Sequence, residues 1–374
     1  MRSVALVGTY PPTACGLATF TSNLRAAIAE GGRGWDARVV RVLEQWEPER
    51  CDDVVAPWVV GDGTSLHRAV HALNSFDAVL LQHEYGLFGG RDGEDVLELL
   101  DGLEVPVVPV LHTALLEPSP HQREILDRIL DAAAVVVVQS EAARQRIVAV
   151  HDADPDDVIV IPHGAAANFF GPVLRDVSRP AVLTWGLLSP GKGIEHGIAA
   201  VARLRPHAPA ASYIVAGQTH PKVRAANGER YREQLQEQAR SLGIGARVRF
   251  DAAYRDWDSL RALVRSVDVV LLPYDSRDQV SSGVLVEAVA SGKPMVATRF
   301  PHAEELLADG AGILVDHGDV DAMAAALDRV LYEPGLADRL TSAARRAAAP
   351  LLWPAVGVSY RSLVDRVVAA LAVA

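Results

Sequence analysis

Short, unbroken apolar runs recur along the whole chain and constrain its fold more than any other feature. SVALVG, ARVVRVL, DAVLLQ, VPVVPVL, AVVVVQ and VIVIP fall in the first 162 residues; AVLTWG, SYIVAG, RVRF, VDVVLLP, PMVAT and GILVD follow. Most are continuous rather than alternating, as strands are when helices cover both faces of a parallel sheet. Amphipathic stretches separate them, among them Thr19–Glu30, Gln122–Ala132, Gly228–Leu242 and Val320–Leu331. Strand and helix alternating throughout predict an α/β protein with doubly wound, right-handed crossovers.

A chain of 374 residues suits two domains of roughly 150–200 residues better than one core. The best boundary is NFFGPVLRDVSRP, Asn168 to Pro180, punctuated by Gly171, Pro172 and Pro180. The expected organisation is residues 1–172, residues 173–350, and a terminal helix over 351–374 that follows Pro354 and crosses back onto the first domain. Ligands of such sheets sit beyond the carboxyl ends of the strands, and two facing domains create a cleft for one.

No apolar stretch reaches the ~18–20 residues of a membrane span. The start, MRSVALVGTYPP, reads as a first buried strand and not as a signal peptide, so a cytoplasmic protein is expected. Cys15 and Cys51 suit a reducing compartment and have no metal-ligand spacing. A net charge of −11 argues against a nucleic-acid partner, which calls for a basic face. It leaves room for one basic pocket, and it leaves peripheral membrane contact open.

The post-strand loops carry the chemistry. In GTYPPTACGLATF, two prolines and Gly16 precede a helix start near Leu17, where backbone amides favour an anion; an ordinary strand–helix loop reads equally well. QHEYGLFGGRDG places His83, Glu84 and Tyr85 after a buried strand, a polar face suited to lining the cleft. It is not the zinc motif H-E-x-x-H, because Leu87 stands at the second histidine. His112 directly follows VPVVPVL, a functional position for a histidine. His163 and Gly164 suit a hinge or a ligand contact. In TWGLLSPGKGIEHGI, Gly186, Ser189-Pro190-Gly191, Lys192 and Gly193 lead into a helix; its amides and the Lys192 ammonium form the clearest diphosphate candidate. AGQTHPKV occupies a similar position with a weaker signal. The D-x-D triplets in DADPDD and GDVDAM read as a turn and a helix cap rather than as metal ligands. In YDSRDQVSSGVLVEAVASGKP, Ser281, Ser282 and Gly283 expose amides before a helix bounded by Gly292 and Pro294. Glu287 either complements that helix start or accepts two hydrogen bonds from sugar hydroxyls.

Together these loops resemble glycosyltransferase family 4, the retaining glycosyltransferases of the GT-B fold. The resemblance covers nearly the whole chain and is strongest from Val182 to Leu331. The family segment Glu-x7-Glu, small-residue helix, Gly-x-Pro stands here as QVSSGVLVEAVASGKP, and Gly-Arg-Leu-x-x-x-Lys-Gly as GLLSPGKG. It implies two doubly wound Rossmann-like domains, the first binding an acceptor and the second a nucleotide diphosphate sugar. Lys192 and the adjoining helix start, with Gly186, would hold the donor diphosphate. Glu287 would bind the ribose. Amides at Ser282, Gly283, Val284 and Leu285 would touch phosphate or sugar, Gly16 would sit against the phosphate, and His112 would lie at the reaction centre.

Two positions depart from the family. Leu187 stands in place of the phosphate-binding arginine, and Arg277, Arg255 and Arg299 are candidate replacements. Gln279 stands where the first glutamate contacts the donor sugar; it still donates and accepts hydrogen bonds, with Asp278 beside it for charge. The activity implied is transfer of a hexosyl group, mannose or glucose type, to a carbohydrate, lipid-linked or small-molecule hydroxyl. Lys192, His112 and Gln279 would be the catalytic residues, with no metal or resident cofactor. Another enzyme of the same fold, an epimerase or a sugar phosphorylase, stays open, as does a non-catalytic nucleotide-sugar binder.

Overall fold

The structure, a computed structural model, describes residues 1–32, 34–49, 51–172, 179–206, 210–253 and 255–371. It divides into two compact units, Met1–Gly164 with Trp353–Ala374, and Ala165–Leu352. Residues 173–178 of the expected linker and 372–374 of the expected terminal helix lie outside the described residues.

The first unit runs β1 (Arg2–Gly8), α1 (Gly16–Ala29), β2 (Trp35–Leu43), β3 (Val54–Val59), α2 (Gly63–Leu73), β4 (Ala78–His83), α3 (Val96–Asp101), β5 (Val107–Leu111), α4 (Pro120–Ala132), β6 (Val136–Val138), α5 (Glu141–His151) and β7 (Val158–Val160). Its strands form one parallel sheet in the order β3-β2-β1-β4-β5-β6-β7. The apolar-run reading omits β3, VVAPWV. Pro57 cannot donate to a ladder, and the strand takes the sheet edge, where that loss is tolerated.

The second unit runs β8 (Ala181–Trp185), α6 (Ile194–Ala202), β9 (Ser212–Ala216), α7 (Pro221–Asn227), α8 (Arg230–Ser241), β10 (Val248–Asp251), α9 (Trp257–Ser266), β11 (Val269–Leu272), α10 (Gly283–Ala290), β12 (Met295–Thr298), α11 (Pro301–Leu306), β13 (Ile313–Val315), α12 (Val320–Tyr332) and α13 (Leu336–Ala348). Its parallel sheet has the order β10-β9-β8-β11-β12-β13. The β11 run VVLL shows why these strands do not alternate. Val270 and Leu272 pack on one face with Leu285 and Val289, whereas Val269 and Leu271 pack on the other with Ile198 and Leu327. Both faces are covered, so every position is apolar.

Helix α14 (Trp353–Leu371) packs on α1 in the first unit. A Cβ at Gly357 would lie 2.5 Å from the Ala27 carbonyl oxygen, so glycine permits the close approach, and Arg361 Nη1 donates to the same oxygen at 2.6 Å. The two D-x-D segments are structural here. Asp154 caps the 3-10 turn Pro155–Asp157, and Asp319 caps α12 by accepting from the Ala322 amide at 2.8 Å. Among the described residues no group of three or more His, Cys, Asp or Glu side chains could hold a metal ion. Among the described residues no helix is long and apolar enough to cross a membrane.

Candidate functional site

In the second sheet the strand order reverses between β8 and β11, so the loops after these strands meet at the switch point, where open α/β sheets bind ligands. The β8 loop turns through Ser189-Pro190-Gly191, with the Lys192 amide donating to the Ser189 carbonyl at 3.2 Å. Gly193, at φ +60°, leads into α6; a Cβ there would sit 1.8 Å from the Pro273 carbonyl oxygen. Only glycine lets the loop reach the end of β11. The contact is fastened by the Gly191 carbonyl, which accepts from the amides of Asp275 at 3.0 Å and Ser276 at 3.2 Å. Lys192 Nζ then lies 4.2 Å above the centre of the Tyr274 ring, which is itself buried and stacked on Phe300. A cation over an aromatic face is held without neutralising its charge. In the first turn of α6 the His196 amide donates to the Gly193 carbonyl at 3.0 Å, which leaves the amides of Ile194 and Glu195 ahead of the first helical acceptor.

Helix α10 opens from the second loop. Ser282 caps it, its hydroxyl accepting from the Leu285 amide at 3.3 Å, and the Ser282 amide donates to His302 Nδ1 at 2.9 Å. Of the four amides expected to meet a ligand, those of Ser282 and Leu285 are therefore engaged within the protein. Those of Gly283 and Val284 fall in the first turn, where the helix offers no acceptor. Glu287 is the fifth residue of α10, and the first turn carries no acid. The alternative that it merely complements the helix start is thereby corrected. It is half-buried and accepts from the Trp185 indole N–H at 3.4 Å. Burial pushes its carboxyl up to about 7, and the indole hydrogen bond only partly opposes that. A desolvated carboxyl with one weak donor has unused acceptor capacity, which two vicinal hydroxyls would fill.

Gly186, at φ +122°, begins the β8 loop, and its missing side chain leaves Val284 as the nearest neighbour of a Cβ, at 3.6 Å. Gln279 is half-buried and donates from its side-chain amide to the Ser281 carbonyl; its own carbonyl accepts from the His302 amide at 3.3 Å. Asp278 is exposed beside it. Leu187 is half-buried. Two of the candidate replacement cations are committed elsewhere. Arg255 pairs with Asp251, and Arg299 pairs with Asp316 at 3.2 Å and Glu304 at 3.5 Å.

The first unit places its candidates around the ends of β1, β4 and β5. Gly16 is the first residue of α1, whose N-cap is Cys15, with Sγ accepting from the Ala18 amide at 3.3 Å. His112 is held from both sides: Nε2 faces Gln82 Oε1 at 2.8 Å, and Gln139 Nε2 faces Nδ1 at 3.0 Å. Gln82 Oε1 can only accept, so the ring carries its proton on Nε2 and accepts at Nδ1. Burial, then the neighbouring His163 and His83, hold its pKa down to about 3. It is a neutral group with both nitrogens occupied, unsuited to proton transfer. Phe20 packs edge-on against it at 4.7 Å and also contacts His163 and Trp353.

His83, Glu84 and Tyr85 are not equally exposed. His83 and Tyr85 are buried and in edge-to-face contact, and burial lowers His83 to about 4. Glu84 is half-buried and accepts from the Thr113 hydroxyl. Sequence reasoning gave no role to Trp185, Tyr274, His302, Gln82 or Gln139. Each matters through a partner far along the chain, and only the aromatic residues at strand ends, Trp185 and Tyr274, carried a local signal.

Residues 167–347 match the family model described as glycosyl transferases group 1. The chain is 29% identical over 289 residues to a D-inositol 3-phosphate glycosyltransferase of Corynebacterium diphtheriae, covering 71% of this chain and 66% of that protein. It is 30% identical over 308 residues to the protein of that name from Mycobacterium bovis, covering 76% and 60%. The chain thus spans less than two thirds of the length of these relatives. In fold it is similar to a sucrose-phosphate synthase from Thermosynechococcus elongatus, with a TM-score of 0.80, 19% identity, and 99% and 100% of the two chains covered. It is also similar to Anabaena Alr3699/HepE solved with UDP and glucose, with a TM-score of 0.77, 19% identity, and 98% and 100% covered. The architecture is the GT-B fold of these structures.

Proposed function

This chain belongs to the group 1 glycosyl transferases, and from that premise we propose that it is a retaining hexosyltransferase. It moves a glucose- or mannose-type unit from a nucleotide diphosphate sugar to a hydroxyl acceptor. The observation that carries this reading is the fastening of the β8 and β11 loops by the Gly191 carbonyl, which holds Lys192 over Tyr274, while Trp185 at the end of β8 reaches Glu287 on α10. Glu287 accepts the ribose hydroxyls; Lys192 and the amides of Ile194, Glu195, Gly283 and Val284 hold the diphosphate.

The sugar–phosphate C–O bond breaks with positive charge gathering on the sugar and negative charge on the diphosphate. Stabilising that departing charge is the protein's principal task. The acceptor oxygen forms the new bond on the same face, and its proton passes to the leaving phosphate oxygen. The reading is metal-independent because Lys192 and the amides supply the positive charge. His112 serves as a fixed neutral group of the first unit and not as an acid or base, in keeping with its two occupied nitrogens. The first unit binds the acceptor and the second the donor. Both cysteines are free, which supports the reducing cytoplasm as the location.

A thermal-shift panel of UDP-, GDP- and ADP-sugars tests the donor site. UDP-glucose comes first, because a structural neighbour was solved with it. A donor at 100 Kd stabilises by about 2.7 kcal/mol, and Lys192→Ala removes the shift. No shift from any donor contradicts the reading. Relatives named for D-inositol 3-phosphate make a phosphorylated cyclitol the first acceptor to try. Leu187, and a Gln279 side chain turned to the Ser281 carbonyl, favour a second reading, a binder without turnover. Tight donor binding with no transfer to any acceptor would establish it.

A further inference from the structure

The loop after β9, AGQTHPKV, lies directly against the loop that carries Lys192. The Gly186 amide donates to the Ala216 carbonyl at 3.0 Å, the Leu188 amide to the Gln218 carbonyl at 2.8 Å, and the His220 amide to the Leu188 carbonyl at 2.9 Å. Gly217, at φ +137°, makes this possible, since a Cβ there would lie 2.0 Å from the Gly186 carbonyl oxygen. His220 is therefore held in fixed backbone register beside the turn that presents Lys192.

The side chain of His220 is oriented as well. Its Nδ1 accepts from the Lys222 amide at 3.2 Å, capping α7. A neutral imidazole that accepts at Nδ1 carries its proton on Nε2, so the other edge of the ring is a donor. Lys222, on the first turn of α7, is exposed. Desolvation, then the ammonium groups of Lys222 and Lys192, hold the His220 imidazole below its usual range. The nearby guanidinium groups form ion pairs, although Arg232 Nη1 is buried without a hydrogen-bond partner among the described residues. Arg224 pairs with Glu229 at 3.5 Å; Arg232 pairs with Glu229 at 3.2 Å and donates to the Gly217 carbonyl at 2.7 Å. Arg255 and Arg299 are paired as described above.

The geometry points to His220 and Lys222 as the groups that complete the donor diphosphate subsite with Lys192, in the place left without a guanidinium at Leu187. His220 Nε2–H supplies a directed donor and Lys222 a mobile charge, together doing what one planar guanidinium does by itself. This rests on the donor-site reading of the second unit and goes beyond it, because the two residues it adds, His220 and Lys222, lie outside the GLLSPGKG segment.

The test is calorimetric titration of UDP and of GDP into the full chain and into a His220→Ser, Lys222→Gln double variant. Serine retains a capping oxygen but is too short to reach a ligand, and an unchanged melting temperature verifies the fold. The expected result is a Kd about tenfold higher, equivalent to about 1.4 kcal/mol, with Arg277→Ala within twofold of wild type. A double variant within twofold of wild type, alongside a Lys192→Ala that weakens binding at least tenfold, overturns the inference and leaves the donor site standing. A tenfold loss from Arg277→Ala with none from the double variant overturns it in favour of Arg277. A Lys192→Ala that binds like wild type overturns the donor site itself and this inference with it.

Discussion

Replacing Glu287 with glutamine should stabilise the ligand-free second unit while weakening its grip on a nucleotide. The carboxyl is pushed from 4.5 to about 7 by burial, so the folded state holds a proton that the unfolded state has released. For such a group stability is fully present below pH 4.5 and is lost as pH rises through 7. The gap is about 2.5 pH units, and each unit is worth 1.36 kcal/mol, so the full cost of ionising Glu287 in place is about 3 kcal/mol. Between pH 5 and pH 8 the wild type should lose about 2.5 kcal/mol from this residue alone. Glu287→Gln is isosteric and cannot ionise, so it removes that loss. The assay is urea unfolding of both proteins at pH 5, 6, 7 and 8, with their difference plotted against pH. Taking the difference cancels every other titration in the chain. A difference that grows in favour of the variant by about 2–3 kcal/mol is expected. A flat difference would refute the reasoning, since it would mean that Glu287 is already well solvated or well paired in the free protein. The same variant should bind a nucleoside diphosphate more weakly, because a neutral amide offers ribose hydroxyls weaker acceptors than a carboxylate does.

Gly193→Ala combines a left-handed backbone with a contact to the Pro273 carbonyl oxygen of 1.8 Å. A loss of about 3 kcal/mol or more is expected in chemical denaturation, along with weakened donor binding. Gln279→Glu restores a charged acceptor at the sugar position, and donor preference, measured as kcat/KM across a panel, should shift about tenfold. In the first unit, burial depresses His83 to about 4, His112 to about 3 and His163 to about 4. The unfolded chain therefore gains protons first as pH falls below 6.5, and each histidine should cost about 1.4 kcal/mol per pH unit down to its folded value. His163→Gln should flatten that dependence, as read from urea midpoints at pH 7 and pH 5.

Much of the fold was legible because the strands are apolar on both faces. VDVVLLP could scarcely be anything else, and its alternate residues enter two different cores. β3 was not legible: VVAPWV is half-exposed and interrupted by Pro57, as an edge strand permits. The site was legible in part. Lys192 and Glu287 stood out by position, one before a helix and one within it. Their supports did not. Nothing in the order of residues says that Trp185 reaches Glu287 across 102 positions, or that Tyr274 lies beneath Lys192. Those contacts exist because the sheet sets β8 beside β11, a neighbour relation fixed by topology rather than by adjacency along the chain. His112 illustrates the reverse. Its place at a strand end suggested function, but only the two glutamines around it show that both ring nitrogens are already engaged.

The central claim is that Lys192 stabilises a departing nucleotide diphosphate. The most direct measurement is release of nucleotide diphosphate from the preferred nucleotide sugar in the presence of acceptor, for wild type and for Lys192→Ala at saturating donor. Removing one group aimed at developing negative charge typically lowers kcat by about 10²–10³-fold, and that loss is the predicted result. Turnover by Lys192→Ala at the wild-type rate would contradict the account.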